Sequence, residues 1–144
     1  MVDTVTTQTI QDGGRAAIIK TTVVIGAGTP PAPQEVTLVD VSTLSADPVT
    51  RQACVGVTLQ KVTFASVGVA VELQWKANAN VLIFDFPRNW TEQYDFSDFG
   101  IPNNAGAGKN GDIVALSQAN AATPIAAGDT YTFLLTVSKS YASV

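Results

Sequence analysis

The chain has 144 residues, 46% of them hydrophobic and only 14% charged, a balance that predicts one folded domain and excludes intrinsic disorder. Its net charge of −4, without a basic cluster, argues against a nucleic-acid partner, and no apolar run reaches the ~18 residues of a membrane-spanning helix. There is no histidine and only one cysteine, which removes the Ser-His-Asp triad, the Cys-His pair and an intramolecular disulfide.

The chain holds 18 Val and 17 Thr but one Met and three Glu. β-branched side chains fit a pleated strand better than a helix, so the composition predicts an all-β domain. Taken in order, the first strand candidates are Val5–Gln11 and Arg15–Ile25, joined by the tight turn Asp12-Gly13-Gly14. The Gly/Pro-rich stretch Gly26–Pro33 reads as a connection, because proline cannot sit inside a strand ladder. Gln34–Val41 and Val57–Ala65 follow, with a turn at Ser66-Val67-Gly68.

In Gly68–Lys76 the residues Val69, Val71, Leu73 and Trp75 share one face while Glu72, Gln74 and Lys76 share the other. This is the period of a strand with one wet face. Ala77-Asn78-Ala79 is a turn before Asn80–Phe86. Pro87–Gly111 reads as one long loop, and loops of that length usually carry function. After it come Asp112–Ser117, an Ala-rich loop at Ser117–Ala127 interrupted by Pro124, and the clearest alternation of all in Asp129–Lys139. There Tyr131, Phe133, Leu135 and Val137 define the inner face. The expectation is a single domain over residues 1–144. It is an antiparallel two-sheet β-sandwich, jelly-roll-like, of about eight strands with a long loop at 87–111.

Several strings imitate catalytic motifs and fail on context. Gly26-Ala27-Gly28 resembles a dinucleotide-binding turn, but prolines follow where a helix is required. Gly106-Ala-Gly108-Lys-Asn-Gly111 resembles a phosphate loop, but Asn110 stands where the magnesium-binding hydroxyl belongs, and a strand follows. Asp98-Phe99-Gly100 lacks the rest of a kinase signature. Asn89-Trp90-Thr91 is a sequon, but residues 1–8 lack the basic and apolar regions of a signal peptide, so no glycosylation is expected. Asp85, Glu92, Asp95, Asp98 and Asp112 gather near the long loop, where turn formation is the ordinary use of such residues, with calcium binding or carboxylate catalysis as the alternatives. No catalytic, metal-binding or cofactor-binding residue is assigned, and no cofactor is expected.

Six of the eleven aromatic residues fall between Phe84 and Phe99. Such rings either pin the loop to the sandwich or form a contact surface for protein or sugar. The interface candidates are Trp90, Tyr94, Phe96, Phe99 and Ile101.

The segment Asp95–Val114 (DFSDFGIPNNAGAGKNGDIV) resembles a string in small virion proteins of tailed bacteriophages, especially phages of cyanobacteria and other aquatic bacteria. Asp12–Lys20, Val41–Leu44 and Gly128–Tyr131 fit the same pattern, so the likeness spans roughly residues 12–139. It implies a non-enzymatic capsid decoration, or cement, protein on the virion surface, made in the host cytoplasm. Its implied partners are copies of itself, as a homotrimer, and the major capsid protein. A carbohydrate-binding or tail-fibre adhesin module is the alternative.

Overall fold

The computed structural model describes residues 4–26, 34–118 and 126–142. The expected connections at Gly26–Pro33 and Ser117–Ala127 lie mostly outside the described residues. Among the described residues there are nine strands: β1 (Thr4–Asp12), β2 (Ala16–Val24), β3 (Glu35–Val39), β4 (Cys54–Val67), β5 (Ala70–Trp75), β6 (Val81–Phe86), β7 (Thr91–Asp95), β8 (Ile113–Gln118) and β9 (Thr130–Tyr141). Eight of them match the expected segments. The ninth, β7, lies inside the stretch expected to be one long loop. The third segment ends at Val39, because the Asp40 carboxylate accepts the Ser42 N–H at 3.0 Å and starts a 3-10 turn over Val41–Thr43.

The pairing is nested. β2 pairs with β9, β3 with β8, β4 with β7 and β5 with β6, all antiparallel. The paired ribbon then wraps so that β9 also meets β4 and β8 also meets β5. Two sheets result, in the orders β1-β2-β9-β4-β7 and β3-β8-β5-β6. One long antiparallel ribbon wound into two facing sheets is a jelly roll. β1 is an addition to that plan and pairs with β2 alone among the described residues.

The core follows from the alternation. Tyr131, Phe133, Leu135 and Val137 are all buried, as are Val69, Val71, Leu73 and Trp75 of the other sheet. Phe64 of β4 stands in the middle of the sandwich. It stacks on Phe86 across the sheets at 4.5 Å and lies 4.8 Å from Phe133 on the neighbouring strand.

One polar core residue works against stability. Thr21 is 1% exposed, and its hydroxyl has no partner among the described residues. A buried hydroxyl without a hydrogen bond keeps its desolvation cost, whereas valine keeps the branched shape. Thr21→Val is expected to raise stability by about 1 kcal/mol, read as a higher urea midpoint at unchanged slope.

Candidate functional site

The open side of the sandwich between β6 and β7 is closed by rings. β6 ends the four-stranded sheet and β7 ends the five-stranded one, so a row of side chains must bridge two edges. Phe84 stacks on Tyr94 at 5.3 Å and 7°, and on Phe96 at 5.5 Å and 13°. Phe84 also lies 5.8 Å from Phe86, which joins the row to Phe64 and Phe133 in the core. Offset stacks of this kind add about 1 kcal/mol each beyond the area they bury.

The backbone explains why this stretch is ordered. Phe96 N–H donates to Gln60 O, Leu59 and Ile101 exchange bonds at 3.0 and 2.8 Å, and a turn at Phe96–Phe99 lies between. The Asp95 carboxylate accepts the Ser97 hydroxyl and N–H at 2.6 and 2.9 Å and faces Lys61 at 3.7 Å. The Ser97 bonds, helped by the Lys61 charge, hold its carboxyl below the usual range. Gly100 has a φ of 71°, and a Cβ there would lie 2.6 Å from Thr58 Cγ2, so the turn requires glycine.

The five interface candidates divide into two groups. Tyr94 and Phe96 are half-buried in the ring row, and Ile101 is half-buried against Leu59, so these three fasten the segment. Trp90 and Phe99 flank β7 at its two ends and project outward, 44% and 79% exposed. At the Trp90 end, Trp90 O accepts the Ser66 N–H at 2.9 Å and the Asn89 side chain accepts the Gly68 N–H at 2.8 Å. Asn89 itself is left-handed, with a φ of 54°. Two large apolar side chains are thus held out on a stiff frame. Val67, adjoining the Ser66–Trp90 pair, is also exposed; in the sequence it falls in an expected turn, and nothing there marks it as a contact residue.

The carboxylates disperse. Asp85 faces out on β6 opposite Glu72, Asp98 lies in the exposed turn, and Glu92 sits in register with Phe64. Asp112 accepts the Val41 N–H at 3.0 Å, and burial pushes its carboxyl upward. Among the described residues no three acidic or cysteine side chains come together. The Gly106–Gly111 string is an exposed turn that leads into β8, with no helix after it to receive a phosphate.

A second polar centre lies at the other end of β9. Lys139 Nζ donates to Asp12 Oδ1 at 2.7 Å, to Ser45 O and Oγ at 2.8 and 3.0 Å, and to Gly13 O at 3.0 Å. Its side chain is fully buried. The Ser45 N–H and hydroxyl also donate to the Asp12 carboxylate, and the Tyr141 hydroxyl donates to Gly14 O. This group ties the β1–β2 turn to β9 and to the segment after the 3-10 turn. A signal for it stood in the sequence: Lys139 continues the inner face of Tyr131–Val137, where the period calls for an apolar residue.

No protein-family model, no curated protein and no solved structure matches this chain.

Proposed function

We propose that the chain is a non-enzymatic structural protein of a phage particle, a capsid decoration protein that binds and stabilises the coat shell. The observation that carries the reading is the pair Trp90 and Phe99, exposed on either side of β7 and backed by the Phe84–Tyr94–Phe96 stack. Contact energy concentrates in a few large side chains, tryptophan foremost, when a rigid support holds them ready. The jelly roll is used by viral shell proteins, by lectins and by cupins, so the architecture is compatible with the role without assigning it. The low charge of the outer strand faces lets a neighbour pack closely. The likeness of Asp95–Val114 to virion proteins covers the turn that presents Phe99.

The test is co-sedimentation with assembled, undecorated phage heads. The wild type is expected to bind, and Trp90→Ala and Phe99→Ser are each expected to weaken binding roughly thirtyfold, about 2 kcal/mol for a central contact, with unchanged melting. Binding that both substitutions leave intact moves the contact elsewhere, and no binding to any head removes the proposal. The second reading, a glycan-binding module, rests on the exposed Trp90 ring beside Asn89. Glycan-array binding lost on Trp90→Ala, without head binding, would favour it.

A further inference from the structure

β1 is exposed from Thr4 to Gln11 on both faces, although its partner β2 is half-buried. The reason lies in the topology. The five-stranded sheet extends one strand beyond the four-stranded one, so β1 meets the other layer only across an open groove, which Thr7 and Thr9 line together with Thr37, Leu38 and Thr43. Val5 and Ile10 are left 44% and 52% exposed. Among the described residues, the outer edge of β1 also leaves alternate backbone N–H and C=O groups without a strand partner.

Proteins normally guard such an edge by shortness, charge, proline or bulges. The other three edges do so. β3 and β7 are five residues long, β3 begins at Glu35, and β7 carries Glu92 in register with the buried Phe64. β6 has only six residues. β1 has nine residues with no charge before Asp12 and no proline, and its pairing with β2 is broken only between Thr9 and Gln11. Its sequence Thr-Val-Thr-Thr-Gln-Thr-Ile-Gln is rich in residues that favour strands.

We propose that β1 pairs antiparallel with β1 of a second copy of this chain, joining two five-stranded sheets into one continuous sheet about a two-fold axis. Three observations select that occupant. Among the described residues the longest and least guarded edge is β1 itself, so a second copy supplies an edge of equal length. Residues 4–11 are uncharged, so two copies of this strand meet without like-charge repulsion. The Lys139–Asp12–Ser45 bonds anchor the end of the β1–β2 hairpin, so β1 stays in its own sheet and offers its free edge instead of crossing into the neighbour. A self-paired edge closes at two copies. The inference is independent of the virion reading, and the homotrimer implied by the resemblance is its competing outcome.

The experiment is light scattering across a concentration series, on the wild type and on Thr6→Lys/Gln8→Lys, which sets like charges on the pairing strands. The wild type is expected to reach the mass of a dimer. The double variant is expected to dissociate at least tenfold more readily, with the same circular dichroism. Oxidation of Thr7→Cys or Gln8→Cys is expected to give a covalent dimer, because these positions lie near the strand centre; Cys54 is buried and serves as the control. A monomer at every concentration, a trimer, a dimer indifferent to the lysines, or no cross-link from either cysteine overturns the proposal.

Discussion

Phe64→Ala is expected to destabilise the protein by about 4 kcal/mol, the upper range for removing a buried aromatic ring. Phe64 is fully buried. It lies in register with Phe133 on β9 and stacks on Phe86 of the facing sheet, so one side chain joins two neighbouring strands and both layers. Alanine would lose the ring's transfer free energy and leave a void that β4 and β9 cannot close, since each of these two is held by ladders on both sides. The stack on Phe86 and the tilted pair with Phe133 disappear with the ring and add to that cost. Urea unfolding followed by tryptophan fluorescence measures it. A loss below about 1 kcal/mol would mean that the sheets do not meet at Phe64.

Lys139→Met is expected to cost about 3 kcal/mol, because removing one member of a buried ion pair leaves the other uncompensated. Methionine keeps the length of the stem but donates nothing. Gly13 O and Ser45 O lose their donor, and the Asp12 carboxylate keeps only Ser45. The substitution also changes the response to pH. Burial works to raise the Asp12 carboxyl, but the bonds from Lys139 and Ser45 outweigh it and hold it below its usual value. A carboxyl depressed in the folded state adds stability above its unfolded value, near 4, and the contribution fades as pH falls through the lower folded value. Burial likewise works to lower Lys139, but Asp12 and Tyr141 together outweigh it and the ammonium is held above its usual value. Its contribution is complete below the unfolded value, near 10.4, and fades as pH rises through the folded one. The variant should therefore lose less stability than the wild type between pH 4 and more acidic conditions. Asp112 has the opposite sign: its raised carboxyl gains stability on protonation, and it offsets part of the acid loss in both proteins. Denaturation midpoints across a pH series separate these contributions. Parallel acid limbs in the two proteins would show that Asp12 does not depend on Lys139.

β7 shows why part of the site escaped the sequence. Thr91-Glu-Gln-Tyr-Asp95 is short, polar and has one aromatic residue, so it carries no period strong enough to announce a strand. It is extended because the edge of β4 supplies a ladder from Lys61 to Ala65. Tyr94 and Phe96 then belong to the wall of the sandwich, and only Trp90 and Phe99 remain as outward contacts. Before the fold is known, the five candidates look alike.

Lys139 shows the complementary case. The inner face of β9 could be read without any neighbour, and the lysine stood out on it, but its partners Asp12 and Ser45 are 127 and 94 residues away in the chain. Period-two alternation is a local property, so the residues alone determined eight of the nine described strands, which of their side chains go inward, and that histidine-dependent chemistry is absent. Strand neighbours are chosen by hydrogen bonds and packing between distant segments. The nested ribbon, the strand recruited at Thr91–Asp95 and the unguarded edge of β1 were therefore decided only when the two sheets closed over one core.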